Sequence, residues 1–229
     1  PEDGEPYDEE TLTAYELGLK WQLPAWHMVA STALYYYDYR NLQQVSSTAA
    51  GTFLISNAGD IRASGLEGEL RWQPSSRSNI VLGASYIDAV YYDTQRGDVQ
   101  LAGIRDEVQQ DLSGNVPVNS PQWAMNLAVD YRYPLDNGWS LSFATDAAYQ
   151  SKVYLALDNL EVKSQQAYWL YNGSIVLAGP DERWQLSLWG RNLADKQYYT
   201  EAFSSKSSGL LMRVIAPPST YGLALAYHW

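Results

Sequence analysis

Alternation of hydrophobic and polar residues is the dominant pattern along this chain. From Gln122 to Tyr133 the odd positions carry large apolar or aromatic side chains, whereas the even positions are small or polar. A period of two is typical of a β-strand, whose successive side chains point to opposite faces. A tilted strand that crosses a membrane needs roughly 9–11 residues, close to the length of this segment. The pattern therefore predicts a strand with one apolar and one polar face.

Eight further segments have related features, so the sequence predicts nine strands. Alternation resumes in Trp139–Gln150 after a turn at 134–138, which predicts a hairpin. Trp26–Arg40 and Asn79–Tyr92 alternate less regularly and are assigned from their β-branched and aromatic content. The other predicted strands are Tyr15–Trp21, Leu66–Gln73, Trp169–Leu177, Arg183–Arg191 and a last one that ends at Trp229. No helical period competes with this assignment.

The predicted connections alternate in length. The short ones are 22–25, 74–78, 134–138 and 179–182, and the long ones are 41–52, 94–121, 154–166 and 204–210. Short turns on one rim and long loops on the other are typical of outer-membrane β-barrels. Because bacterial single-chain barrels have even strand numbers, nine strands predict that the chain is part of a larger barrel.

Composition narrows the range of functions. The 19 tyrosines and 9 tryptophans against 3 phenylalanines favour ring types that lie at boundaries between water and apolar media. A formal net charge of -11 argues against nucleic acid as a partner. The absence of cysteine excludes disulfides and thiol chemistry, and no apolar run is long enough for a membrane-spanning helix.

Candidate catalytic and metal-binding groups are few. The two histidines, His27 and His228, are predicted to lie at a short turn and at the terminus, away from a nucleophile. Asp106, Glu107 and Asp111 lack the regular spacing of a calcium loop. We therefore expect no catalytic residue, no metal site and no cofactor.

Several motifs, in order along the chain, resemble the TonB-dependent outer-membrane receptors. The matching stretches are Thr13–Lys20, Tyr35–Arg40, Asn57–Asp60, Ser64–Leu70, Gly190–Tyr199 and Pro217–Gly222. The resemblance implies an all-β, antiparallel transmembrane barrel of 22 strands that is plugged by an N-terminal domain. Residues 1–229 would form the C-terminal portion, about nine strands, and the plug and the earlier strands would lie outside this sequence.

The resemblance also implies a function, which is active import of a scarce nutrient and not enzymatic catalysis. Ferric siderophore is the first expected substrate, with cobalamin or a glycan as alternatives. The expected location is the outer membrane of a Gram-negative bacterium. The expected partners are the TonB complex through the plug, lipid and lipopolysaccharide, a small-molecule ligand, and the outer-membrane assembly machinery through the aromatic C-terminal strand.

Two rival interpretations remain open from the residues. A passive porin-like channel would have the same two-faced strands but an open lumen. A soluble β-sandwich would instead bury Trp123, Leu127, Trp184 and Leu188 in a protein core, whereas a barrel exposes them on its outer wall.

Two sets of residues are candidates for contact with the ligand or the plug. Ligand contacts are expected at the loop tips and in the upper lumen, where the candidates are Arg40, Arg105, Tyr154 and Lys206. Charged residues on the polar face could hold the plug by ion pairs: Glu16, Glu67, Glu69, Arg71, Asp130, Arg132 and Arg191, with Asp146 on the same face. In the run Tyr35–Arg40, strand alternation is expected to send at most half of the tyrosines into the lumen.

Overall fold

A computed structural model describes residues 7–47, 53–94, 97–99, 108–180, 183–204 and 210–228. Nine strands form one antiparallel sheet in which each strand pairs with the next long strand along the chain. Their bounds are β1 (Thr11–Leu23), β2 (Met28–Ser47), β3 (Phe53–Ser75), β4 (Ser78–Thr94), β7 (Trp123–Pro134), β8 (Ser140–Gln150), β11 (Tyr168–Ala178), β12 (Trp184–Arg191) and β15 (Thr220–Tyr227). The prediction of nine consecutive antiparallel strands is confirmed.

Three short hairpins lie in the long connections and were not predicted. They are β5 (Gly97–Val99) with β6 (Val108–Gln110), β9 (Val153–Tyr154) with β10 (Ser164–Gln165), and β13 (Tyr199–Ser204) with β14 (Leu211–Ile215). Single 3-10 turns lie at Pro24–Trp26, Asp136–Gly138 and Glu161–Lys163. In the described part of the chain, no helix has the length and apolar character that crossing a membrane requires.

The predicted bounds of the loop at 41–52 are wrong, because β2 extends to Ser47 and β3 begins at Phe53. Their pairing shifts register between Tyr39 and Gln43, where Asn41 has a φ of 56°. A bulge of this kind adds a residue to one strand and increases its twist. It breaks the alternation of the sequence without ending the strand, which explains the misplaced boundary.

The register assigns every strand residue to one of two faces, since residues directly opposite in an antiparallel pair share a face. Leu17 pairs with Leu34, which pairs with Leu66, and this face, here called the apolar face, continues through Leu127 to Leu188. The opposite face is called the polar face. The parity predicted from the sequence holds for the seven regularly alternating strands, and the register assigns the faces of β2 and β4, for which the sequence predicted none.

The apolar face is not covered by other described parts of the chain. Trp123, Leu127, Trp184 and Leu188 are 43%, 39%, 49% and 53% exposed. The β-sandwich interpretation required these four side chains to be buried, so it is wrong. A row of exposed apolar side chains across a sheet is what a wall that faces lipid requires.

Close packing of Tyr35 over Gly65 shapes the polar face of β2 and β3. The two residues are directly paired, and a Cβ at position 65 would collide with the Tyr35 hydroxyl and with the carbonyl oxygen of Tyr86 on β4. Gly65 is therefore required because the ring and the neighbouring backbone occupy its side-chain space.

Candidate functional site

All the charged residues predicted to contact the plug lie on the polar face. The register aligns Glu67 with Ala33 and Gly18, and Glu69 with Ser31 and Lys20. The remaining members of the set, Glu16, Arg71, Asp130, Arg132, Asp146 and Arg191, share that face by strand parity. The Arg71 Nε lies 2.6 Å from the Glu69 Oε1, and both side chains are exposed. The structure thus gathers this set on one wetted surface, and the role in plug contact stays a prediction.

Small residues form a concavity of about 780 Å³ beside these carboxylates. Among its lining residues are Gly18, Ser31, Ala33, Gly83 and Ser85, with Glu16, Glu67 and Glu69 around them. Short side chains allow another segment to approach the backbone closely, and the carboxylates offer hydrogen-bond acceptors to it. Lys20 also lines the concavity, so its charged groups are three carboxylates and one ammonium.

Tyrosines cover the upper part of the polar face. Tyr35, Tyr37 and Tyr39 have odd positions on β2 and lie on the polar face, whereas Tyr36 lies on the apolar face. The rings of Tyr35 and Tyr37 stack with centroids 4.9 Å apart. The expectation that at most half of these tyrosines face the lumen is wrong, because three of the four fall on the same parity.

An asparagine relay connects the polar face to the long segment after β12. The Asn172 side chain donates a hydrogen bond from Nδ2 to Asp146 Oδ2 (2.7 Å) and accepts one at Oδ1 from the Asn192 backbone N–H (2.9 Å). Asn192 is buried with a φ of 49°, and its Oδ1 accepts the Lys196 N–H (2.9 Å). Asp195, also at positive φ, accepts the Ser219 N–H (2.9 Å). The structure thus has a tight turn here, whose side chains tie the start of residues 192–219 to their end.

The long connections fold together into what we call the loop layer, comprising residues 111–122, 151–167, 192–204 and 210–219. Val153, Leu155 and Ala202 form its small buried core, with Tyr199 packed against it. Asn159 accepts the Val116 N–H at Oδ1 (2.7 Å) and donates from Nδ2 to the Val116 carbonyl (3.0 Å). This pair of bonds ties two long connections to each other.

A buried ion pair lies inside the loop layer. The Lys163 Nζ is 2.5 Å from Asp158 Oδ2, and the two side chains are only 4% and 2% exposed. Composition and alternation give no sign of this pair, because both residues belong to a stretch that the sequence assigns to a loop. The signal that could have pointed to it is an aspartate followed by a lysine five residues later.

Tyr154, a predicted ligand residue, lies in a second, more exposed cluster of the loop layer. Lys152 donates a hydrogen bond to the Tyr154 hydroxyl (3.1 Å), and its Nζ also lies over the ring, 4.4 Å from the centroid. Lys152 is also paired with Glu161. The hydrogen bond from Lys152 lowers the pKa of the Glu161 carboxyl, and its partner Glu161 raises the pKa of the Lys152 ammonium.

The other predicted ligand residues are placed differently. Arg40 lies on the apolar face and donates to Asp38 from Nε (3.1 Å) and Nη2 (2.9 Å). This position does not support contact with a ligand on the polar face. Arg105 and Lys206 fall outside the described residues, as do Asp106, Glu107 and the terminal Trp229. No group of three His, Asp or Glu side chains in the described ranges is arranged to hold a metal ion.

The Asn57–Asp60 motif holds the segment that precedes β1. Asn57 accepts the Asp8 N–H at Oδ1 (2.8 Å) and donates from Nδ2 to the Asp8 carbonyl (3.0 Å). Tyr39 donates to Glu10 Oε2 (2.7 Å), and this hydrogen bond lowers the pKa of the Glu10 carboxyl. The motif therefore has a structural role, which is to close the start of β1 onto the β2–β3 hairpin.

Comparison with known proteins assigns the family. Residues 3–193 match the sequence family described as "TonB dependent receptor-like, beta-barrel". The chain belongs to the TonB-dependent receptor β-barrel family. Membership confirms the resemblance carried by the motifs, and the nine-stranded sheet is a partial barrel of this family.

Relatives within the family are siderophore receptors. The chain is 26% identical over 199 residues to a probable TonB-dependent siderophore receptor, PiuA, of Acinetobacter baumannii, covering 86% of this chain and 25% of that protein. It is 25% identical over 202 residues to the ferrioxamine receptor of Yersinia enterocolitica, with 85% and 25% covered. The chain spans about a quarter of the length of these relatives.

The fold is shared with solved receptor structures. The ferric yersiniabactin uptake receptor FyuA from Yersinia pestis superposes with a TM-score of 0.77 at 19% identity, covering 96% of this chain and 30% of that one. Almost the whole chain therefore shares its fold with part of a receptor structure.

Proposed function

We propose that this chain is the C-terminal portion of the barrel of an outer-membrane TonB-dependent transporter that binds and imports a ferric siderophore. The observation that carries the proposal is a two-faced wall of nine strands with a charged polar face, in a chain whose relatives are siderophore receptors. Such a wall separates lipid from a wet lumen. In this proposal the N-terminal plug and the earlier strands belong to the rest of the protein.

Plug contact is the role we propose for the charged residues of the polar face. The concavity next to Glu16, Glu67 and Glu69 is lined by small residues, so a plug segment can approach the wall and place basic side chains against these carboxylates. The set Arg71, Asp130, Arg132 and Arg191 would extend the contact across the wall. Hydrogen bonds and ion pairs to a wetted surface exchange readily with water, which allows the plug to move when transport is energised.

Ligand contact is proposed for the loop layer and the tyrosines above the charged set. Tyr154, beside Lys152, and the stacked pair Tyr35 and Tyr37 combine aromatic surface with hydroxyl and ammonium donors. An anionic, ring-containing iron chelate would find both kinds of contact there. Arg105 and Lys206 remain candidates from the sequence.

Partners outside the lumen follow from the same proposal. The apolar face would contact lipid and lipopolysaccharide, the TonB complex would act through the plug, and β15 would be recognised by the barrel assembly machinery. The long connections would face the exterior and the short turns the periplasm.

Uptake measurements on the full-length receptor test the proposal. Cells that depend on this receptor under iron limitation should accumulate radioiron as a ferric siderophore in a TonB-dependent manner. Uptake of cobalamin or a glycan instead of a siderophore would be consistent with the proposed transporter fold but would refute the proposed substrate. Large steady conductance of the purified protein in a planar bilayer, with TonB-independent uptake, would identify a passive channel and refute the proposal.

The role of the polar face has its own test. Joint replacement of Glu67, Glu69 and Arg71 by alanine should weaken plug retention and reduce uptake, whereas Arg77→Ala in the short β3–β4 turn is the matched control. If the triple variant transports as well as the control and its plug unfolds at the same denaturant concentration, these residues do not hold the plug.

A further inference from the structure

One charged cluster lies on the apolar face, which in the proposed function contacts lipid. Asp38 accepts hydrogen bonds from Arg40, and its other oxygen accepts the Tyr92 hydroxyl (2.8 Å) and lies 3.9 Å from the Arg62 Nε. The Arg62 guanidinium lies over the Tyr92 ring, 3.7 Å from its centroid. The register continues from Leu34 and Leu66 to the pair Asp38 and Arg62, so the cluster is on the apolar face.

The height of the cluster on the wall is set by the strand register. The apolar rows begin at Met28, paired with Trp72, near the short turns and end at Tyr36, whose neighbouring row contains Tyr86 and Trp123. Eight residues at a rise of about 3.3 Å and a tilt of about 40° span about 20 Å, close to the apolar band of roughly 25 Å in such barrels. Tyr36, Tyr86 and Trp123 occupy the position of the aromatic girdle at the long-loop side. Asp38 and Arg62 lie one step beyond it, at the level of the lipid headgroups.

The two guanidinium groups are held in place, and each has N–H donors that Asp38 does not engage. Arg40 and Arg62 are 61% and 50% exposed, and Asp38 engages only part of the five N–H donors that each guanidinium carries. Stacking on Tyr92 and bonding to Asp38 fix both groups in place, which reduces the conformational entropy lost when a ligand binds. Asp60, which accepts the Asn41 N–H, and Asp88, in the row of Tyr36, lie nearby, so the two arginines and three carboxylates carry a formal net charge of -1. Recognition must therefore depend on directed donors instead of net charge.

We propose that Arg40 and Arg62 bind a phosphate group of an outer-leaflet lipid headgroup. Guanidinium donors match the geometry of phosphate oxygens, and a phosphate at the headgroup level of an outer wall belongs to a lipid. The inference rests on the proposed transmembrane orientation, in which the long connections face the exterior. It assigns to Arg40 a lipid instead of the siderophore, and to Arg62 a role that the sequence did not suggest.

Native mass spectrometry of the full-length receptor, purified in detergent and mixed with defined lipids, tests the proposal. The probe is lipid A with two phosphates, compared with the same lipid after dephosphorylation. The double variant Arg40→Gln and Arg62→Gln should reduce retention of the phosphorylated lipid at least about tenfold, since the loss of even one charge-assisted hydrogen bond of about 1.5 kcal/mol corresponds to that factor. Retention of the dephosphorylated lipid should not change.

Matched variants separate this site from general effects. Arg77→Gln removes an arginine in the short β3–β4 turn, at the opposite rim of the wall, and it should retain the phosphorylated lipid like the unmodified receptor. Lysine at positions 40 and 62 keeps the charge and loses the guanidinium fork, so it should restore only part of the retention.

Three results would overturn the proposal. They are equal retention by the double glutamine variant, equal loss for both lipids, and complete competition by millimolar inorganic phosphate, which would indicate an anion site without lipid preference. Siderophore uptake by the same variants is measured separately. If the unmodified receptor retains the phosphorylated lipid but takes up no siderophore, the proposed substrate alone is refuted. If the double variant takes up siderophore normally and its lipid retention is unaltered, the lipid site alone is refuted.

Discussion

The nine-stranded wall and the loop layer are built on different principles. In the wall, both faces are largely exposed, and the buried residues are mostly small, such as Ala33, Ala63, Ala89 and Ala178. In the loop layer, a few apolar side chains and the Asp158–Lys163 pair are shielded from water. The wall depends on its continuous backbone ladder, whereas the loop layer carries a miniature core of its own. Substitutions should therefore act through lipid or backbone in the first region and through burial in the second.

Loss of the buried ion pair should have the largest effect. In the full-length receptor, Lys163→Met leaves the Asp158 carboxylate buried and unpaired, which costs about 3–5 kcal/mol. Amide hydrogen exchange at residues 153–165 should accelerate accordingly, while the wall strands keep their protection. Lys152→Met, at the more exposed pair with Glu161, is the control and should accelerate exchange far less. Equal protection in the two variants would contradict a separate core in the loop layer.

A charge on the apolar face should have the next largest effect. Leu127→Arg places a guanidinium near the middle of the apolar rows, where such a substitution costs about 2–4 kcal/mol in a bilayer. Asn126→Arg, the adjacent residue on the polar face, should cost close to nothing. Reversible unfolding of the full-length receptor in lipid vesicles measures the difference. Similar costs at the two positions would contradict the assignment of the faces.

Backbone crowding in the wall should have a smaller effect. Gly65→Ala forces the Tyr35 ring away from its place and presses on the Tyr86 carbonyl, at an expected cost of about 1–3 kcal/mol. Gly18→Ala on the same face is the control, because its nearest obstacle is the Thr32 carbonyl oxygen at 3.8 Å. The midpoint of thermal unfolding in detergent should fall for the first variant only. A matching fall for Gly18→Ala would show that glycine itself, and not the crowding, matters in these strands.

The pH dependence of the Lys152–Glu161 contact should be the smallest effect. Because the folded pKa of Glu161 lies below its ordinary value of 4.5, the contact stabilises the loop layer above that pH and loses its effect as the pH falls through the folded pKa. The difference in amide protection at residues 152–161 between the unmodified receptor and Lys152→Met should therefore vanish in acid. A difference that persists after the Glu161 carboxyl is fully protonated would show that Lys152 stabilises the loop by packing.

The sequence predicted the regular wall better than the irregular parts of the structure. Alternation was sufficient for the wall, from Trp123 on β7 to Leu188 on β12, because a period of two and a lipid-facing side leave one choice of face for each residue. It failed at the bulge around Asn41, where the ladder is irregular. The backbone N–H of Asn41 bonds to Asp60, a partner far along the chain that local patterns do not contain.

The sequence by itself determined the strand number, the two faces and the family, because alternation and the motifs around Glu67 and Asn192 are local properties. The tertiary structure alone decided which side chains meet. It joined Asp158 to Lys163, placed Arg40 and Arg62 on the same carboxylate of the outer wall, and brought three tyrosines of β2 to the polar face. Those contacts depend on strand register and loop packing, which are fixed by the summed pairing of the whole sheet and not by any single segment.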